Sequence, residues 1–125
     1  MAGTYTNLLY HCVFSTKLRK PMSQSVSEQE LYNYIGWIIR GLGGVCLEIN
    51  VVSDHIHMLV RLKPTLSISD FHQELKGSSS RWVNNNKKTT IRFGWQDGYS
   101  AFSVSESGVG AVRRYIQNQK ARHRK

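Results

Sequence analysis

The stretch VCLEINVVSDHIHMLVRL, residues 45–62, constrains this chain more than any other. Residues 45–53 alternate and read as one strand, and residues 55–62 read as a second. Ser53-Asp54 is all that joins them, so the two form a β-hairpin. A hairpin alone has too little apolar surface to be stable in water, so its flanks must cover it. On the N-terminal side, YTNLLYHCVFST (5–16) reads as a strand. Ser27 and Glu30 then form a Ser-x-x-Glu capping box, and a helical pattern runs to about Leu42. Leu31, Ile35, Ile38, Ile39 and Leu42 fall on one face of it, and Gly41, Gly43 and Gly44 end it.

On the C-terminal side Lys63-Pro64 stops the hairpin. A second helix is predicted from Ser67 to Asn84, with Ile68, Phe71, Leu75 and Trp82 as apolar contacts. Its middle, KGSSSR, is a poor helix former: either an exposed weak helix or a place where something approaches closely, such as a phosphate backbone. Residues 84–90 read as a loop, 91–107 as a broken strand extended from Tyr99 to Val104, and Val109 to about Arg122 as a final helix. The order β–α–β–β–α–β–α begins as a ferredoxin-like, RRM-like unit. The expected fold class is α+β: a four-stranded antiparallel sheet with two helices on one face, and an extra C-terminal helix on the other face or at the edge. One domain spanning 1–125 accommodates all of it.

Charge points to a polyanion. Seventeen Lys and Arg against eight Asp and Glu leave +9, and no acid follows Glu106. Lysine and arginine that displace phosphate counterions confer salt-dependent affinity; the alternative reading is a solubilising surface or a disordered basic tail. Arg81, Lys87 and Lys88 are candidate nucleic-acid contacts on charge alone, and Arg113 and Arg114 suit phosphate oxygens. No apolar run is long enough to cross a bilayer and no signal-peptide pattern opens the chain, so a cytoplasmic location with no membrane association is expected. Cys12 and Cys46 lack metal-site spacing and read as buried thiols in a reducing compartment.

Two constellations carry chemistry. His55 and His57 alternate on a strand, so both imidazoles share one face, with Cα atoms about 6.5–7 Å apart, and can converge on one ion. Asp54 before them is a partner for a ring nitrogen or a turn residue. Tyr115 and Gln119 stand four apart on the final helix, one above the other. Each pair alone reads more readily as structural: an exposed or satisfied histidine pair, and a surface helix with a packed tyrosine. Together, two imidazoles and an amide oxygen make an open-sided N2O site suited to Mn²⁺ and tolerant of Mg²⁺. An ion beside a phenol and arginines fits a phosphodiester. His11 and His72 read as structural, and His123 lies in the basic tail.

The segments YHCVFST, DHIHMLV, SISDFHQELKGSSSRW, GYSAFSVSES and VRRYIQNQ, in this order, resemble the single-tyrosine HUH transposases of the insertion-sequence 200/605 type, the TnpA-like family. The resemblance runs from about Tyr5 to Gln119. It implies His55, His57 and Gln119 as ligands of a divalent metal (Mg²⁺ or Mn²⁺) and Tyr115 as nucleophile. It also implies a homodimer that cleaves and rejoins single-stranded DNA near subterminal hairpins through a 5′-phosphotyrosine link. Two other readings stand beside it: a non-catalytic single-stranded nucleic-acid-binding RRM-like module, in which aromatic side chains stack on bases, and a metal-dependent phosphodiesterase that uses water.

Overall fold

The structure, a computed structural model, describes residues 3–21, 26–87 and 90–123, without the side chains at 122 and 123. Lys88, one of the candidate DNA contacts, lies outside the described residues, as do Arg124 and Lys125. Strands β1 (Leu8–Ser15), β2 (Val45–Val52), β3 (His55–Leu62) and β4 (Ser100–Val104) form one sheet in the order β2-β3-β1-β4. Every neighbouring pair is antiparallel. The helices are α1 (Glu28–Gly41), α2 (Ile68–Asn86), α3 (Val109–Gln117) and α4 (Gln119–His123). This is the α+β arrangement expected from the element order, with β1 and β3 at the centre of the sheet.

Local chemistry fixes the key boundaries. Ser53, at φ 56°, makes the tight β2–β3 turn. The Ser27 hydroxyl oxygen accepts from the Glu30 amide at 3.2 Å, closing one half of the predicted N-terminal box of α1. Gly43 at φ +86° ends that helix, in the left-handed region that glycine occupies without strain.

The strand period of two divides the sheet into two unlike faces. Cys12, Phe14, Ile56, Met58, Val60 and Leu62 point one way. They bury against Leu31, Ile35, Ile38 and Ile39 of α1 and Phe71, Leu75 and Val83 of α2. Each such side chain contributes about 1.5–3 kcal/mol on burial. Leu59 and His57 alternate with these residues and face the opposite side. There α3 packs against β2 and β3, with Ile116 fully buried. The extra helix therefore covers part of the second face.

Three local readings change. The final helix is interrupted at Asn118 (φ −92°, ψ 4°), so Tyr115 and Gln119 fall on either side of a break. Residues 91–98 form no strand beyond a single bridge between Thr16 and Trp95. The weak KGSSSR segment is helical because burial overrides its propensity. Its Ser79 hydroxyl donates to the Leu75 carbonyl (2.6 Å) and accepts from the Trp95 indole N–H (2.9 Å). What approaches the small residue at Ser79 is thus an indole of the same chain. Among the described residues, no helix is long and apolar enough to cross a membrane.

Candidate active site

His55 and His57 leave β3 on the face away from the main core, with ring centroids 5.1 Å apart. His55 Nδ1 is 2.9 Å from Asp54 Oδ1, and the second oxygen of that carboxylate pairs with Arg19. Burial would raise the Asp54 pKa, but the His55 hydrogen bond and the Arg19 charge outweigh it and hold the carboxyl below its ordinary value. An ionised carboxylate only accepts, so His55 donates from Nδ1. With Nδ1 as the donor, Nε2 is the nitrogen that can offer a lone pair to a metal. Asp54 thus serves both as turn residue and as partner of the histidine.

His57 Nδ1 is 3.1 Å from Nε2 of His11 on β1. The β1–β3 register sets Val13 opposite His57, so His11 is its diagonal neighbour on the same face. Burial lowers the His11 pKa and so favours the neutral ring, which retains one acceptor nitrogen. His11 also meets the Tyr115 ring edge-on at 5.7 Å and the Phe102 ring at 6.2 Å. A lone histidine on a strand gave little reason to place it here. The signal was the alternation itself: with Cys12 and Phe14 inward, His11 must face the way His57 does.

Tyr115 lies on α3 with its ring 6.1 Å from that of His57, within one chain, and remains 40% exposed. The helix is clamped from β2. Asn50 Nδ2 donates to the Ile116 carbonyl at 2.8 Å, while Arg113 and Gln117 both donate to Glu48 Oε1 at 3.3 and 3.1 Å. Gln119 is buried, and its Nε2 donates to the Tyr115 carbonyl at 3.1 Å. Its hydrogen bond thus runs to the tyrosine backbone and to neither imidazole. Lys120 beyond it pairs with Glu28 of α1.

The arrangement brings His55, His57 and Tyr115 together, adds His11 and Asp54, and leaves the Gln119 amide bonded to the Tyr115 backbone across the break at Asn118. The basic residues divide. Arg114 is exposed on α3, but Arg113 is engaged by Glu48. Arg81 and Lys87 lie on and just past the end of α2, in the layer behind the sheet, where Arg81 Nη2 donates to Ser78 (3.4 Å) and Lys87 to Asn84 (3.0 Å). Among the described residues, no group of three or more His, Cys, Asp or Glu is arranged to hold a metal ion. A cation here would therefore need the Gln119 amide or groups from outside the chain to complete its shell.

A four-stranded antiparallel sheet with two helices behind it, and a histidine pair and a helix-borne tyrosine in front, defines a class of α+β protein. Residues 4–119 match the family described as IS200-like transposases, and the chain belongs to that family. It is 28% identical over 124 residues to the transposase for insertion sequence element IS200 of Salmonella typhimurium, covering 95% of this chain and 81% of that protein. It is 27% identical over 122 residues to the ISDra2 transposase TnpA of Deinococcus radiodurans, covering 94% and 87%. The crystal structure of a candidate transposase from Deinococcus radiodurans R1 superposes with a TM-score of 0.71 at 27% identity, covering 95% of both chains. A REP-associated tyrosine transposase bound to a REP hairpin superposes with the same TM-score at 15% identity, covering 98% of this chain and 73% of that one, a likeness of fold.

Proposed function

We propose that this chain is a divalent-metal-dependent transposase that cleaves and rejoins single-stranded DNA, with Tyr115 as nucleophile. The observation that carries the reading is the Tyr115 ring 6.1 Å from His57 on the sheet face that also holds His55. The donor chemistry fits a metal. Asp54 engages Nδ1 of His55 and His11 engages Nδ1 of His57, so both rings would ligate through Nε2. Gln119, its Nε2 held by the helix, would add Oε1. Two imidazoles and one amide oxygen with open positions suit Mn²⁺ or Mg²⁺. When bound, such an ion supplies Lewis acidity to a phosphoryl oxygen.

The remaining work belongs to the chain. The Tyr115 phenol loses its proton and its Oη bonds to phosphorus, while the bond from phosphorus to the 3′-oxygen breaks in line. The 3′-oxygen leaves as a hydroxyl after gaining a proton. The 5′-phosphotyrosine retains the phosphodiester energy, so a second 3′-hydroxyl reverses the step onto a new end without ATP. Helix α3, tied to β2 through Asn50 and Glu48, holds the phenol in place, and exposed Arg114 suits the DNA phosphates. A homodimer of single-domain subunits acting on hairpin-bearing single strands is the assembly that fits this chemistry, since two ends must be exchanged.

The test is a denaturing gel of labelled single-stranded hairpin DNA incubated with protein and Mn²⁺ or Mg²⁺. A protein-linked band is expected from the wild type, with none from Tyr115→Phe and none in EDTA. A full-strength band from Tyr115→Phe would move the nucleophile elsewhere. Tight binding without any adduct under all conditions would favour a single-strand binding module.

A further inference from the structure

Beyond the imidazole face, the end of β1 opens into a basic groove. Leu18 and Arg19 sit at φ 60° and 57°, a left-handed conformation that residues other than glycine seldom adopt. The turn is held there by three bonds: Thr16 Oγ1 to the Lys20 carbonyl (2.6 Å), Lys17 N to the Gly94 carbonyl (2.8 Å), and Arg19 N to the Thr16 carbonyl (3.2 Å). Its effect is to present Lys17, Arg19 and Lys20 together. Arg92 and Trp95 line with Lys17 and Lys20 a cavity of about 500 Å³, which Asp97 also lines. Among the described residues, no carboxylate pairs with Lys17, Lys20 or Arg92.

A second hollow of about 240 Å³ adjoins it, sharing Asp97 and lined by Arg19 and Tyr99. Tyr99 is 40% exposed, and its ring is backed by His72 in a flat stack, centroids 3.7 Å apart and planes 7° from parallel. A tyrosine fixed in this way is a rigid platform for a flat ligand. The hollow reaches the site already described: Ser15 lines it and pairs with His55 across the ladder, and Arg19 holds the Asp54 that holds His55.

We propose that these joined hollows bind the single-stranded DNA flank of the cleavage site, phosphates on Lys17, Lys20 and Arg92 and a base on Tyr99. The assignment rests on the single-strand reading of the catalytic face and adds where the strand runs beyond it. Cations without a carboxylate ion pair in one hollow, and a stacking ring in the next, match a single strand, whose base faces are free to stack; a duplex keeps those faces covered.

Fluorescence anisotropy in EDTA tests it, with a blunt hairpin and the same hairpin carrying an eight-nucleotide single-stranded extension on one side or the other. The triple variant Lys17→Ala/Lys20→Ala/Arg92→Ala is expected to bind one extended hairpin about tenfold or more weakly and to flatten the log affinity–log salt slope by about two, at about 0.7 per lost phosphate contact. Blunt-hairpin affinity stays as in the wild type. Arg92→Glu, a single surface change, should weaken the same extended hairpin selectively. Unchanged affinity and slope for both extended hairpins overturn the assignment, as does an equal loss on blunt and extended hairpins. The adduct gel, run in parallel, separates the two claims. A wild-type adduct with unaltered flank binding removes only the groove; no adduct on any hairpin removes the catalytic reading.

Discussion

His11 Nε2 and His57 Nδ1 lie 3.1 Å apart across the β1–β3 ladder, so a residue 46 positions away decides which nitrogen of His57 carries the proton. If His57 donates to His11, its Nε2 keeps the lone pair that a metal needs. Removing the acceptor should therefore weaken the metal site without touching a ligand. Changing His11→Phe is expected to reduce Mn²⁺ affinity by about 10–100-fold, read by electron paramagnetic resonance titration without DNA. His11→Asn, which retains an acceptor, should lose less. Equal Mn²⁺ affinity in all three proteins would rule out this role.

Asp54 has the same relation to His55, reinforced by Arg19. Asp54→Asn keeps the shape but removes the charge that orients the ring. Mn²⁺ affinity is expected to fall by about tenfold or more, with less change in melting temperature than a core substitution causes. A variant that binds Mn²⁺ as the wild type does would show that the turn alone orients His55.

Asn50 anchors the tyrosine helix through the Ile116 carbonyl at 2.8 Å. In Asn50→Ala the lost bond should cost about 1 kcal/mol, lowering the melting temperature by about 4 °C. Adduct formation should slow by more than that stability loss accounts for, because the phenol is no longer held against the imidazoles. Single-turnover gels alongside thermal melts check this, and an unchanged rate would mean that Ile116 and Glu48 suffice.

His72 predicts an acid limb in stability. Burial lowers its folded pKa below the ordinary 6.5, although its bond to the Ile68 carbonyl opposes this, and Nε2 is buried with no hydrogen-bond partner among the described residues. The unfolded chain therefore binds the proton more readily. The stability contribution is whole above pH 6.5 and is lost as pH falls from there toward the folded pKa. Burial shifts His11 in the same direction, so both steepen the decline. Melting temperature measured from pH 7.5 to 5 should drop less in His72→Phe, which preserves the ring stack with Tyr99. Parallel curves for the two proteins would assign the acid limb to other groups.

Much of this was legible in the chain because it depends on short-range geometry. The period of two puts His55 and His57 on one face wherever the strand lies, and the Ser53-Asp54 turn forces the hairpin, whereas the break at Asn118 between Tyr115 and Gln119 left no mark in the helical spacing. Residues far apart in sequence met only through tertiary structure. Antiparallel pairing of β1 with β3 at one register sets His11 against His57, the packing of α3 on β2 commits Arg113 to Glu48, and the approach of Trp95 gives Ser79 its partner. Local spacing is written into each segment by backbone geometry. Which side chains meet across the sheet depends on how the apolar faces bury, a choice made by the whole chain at once.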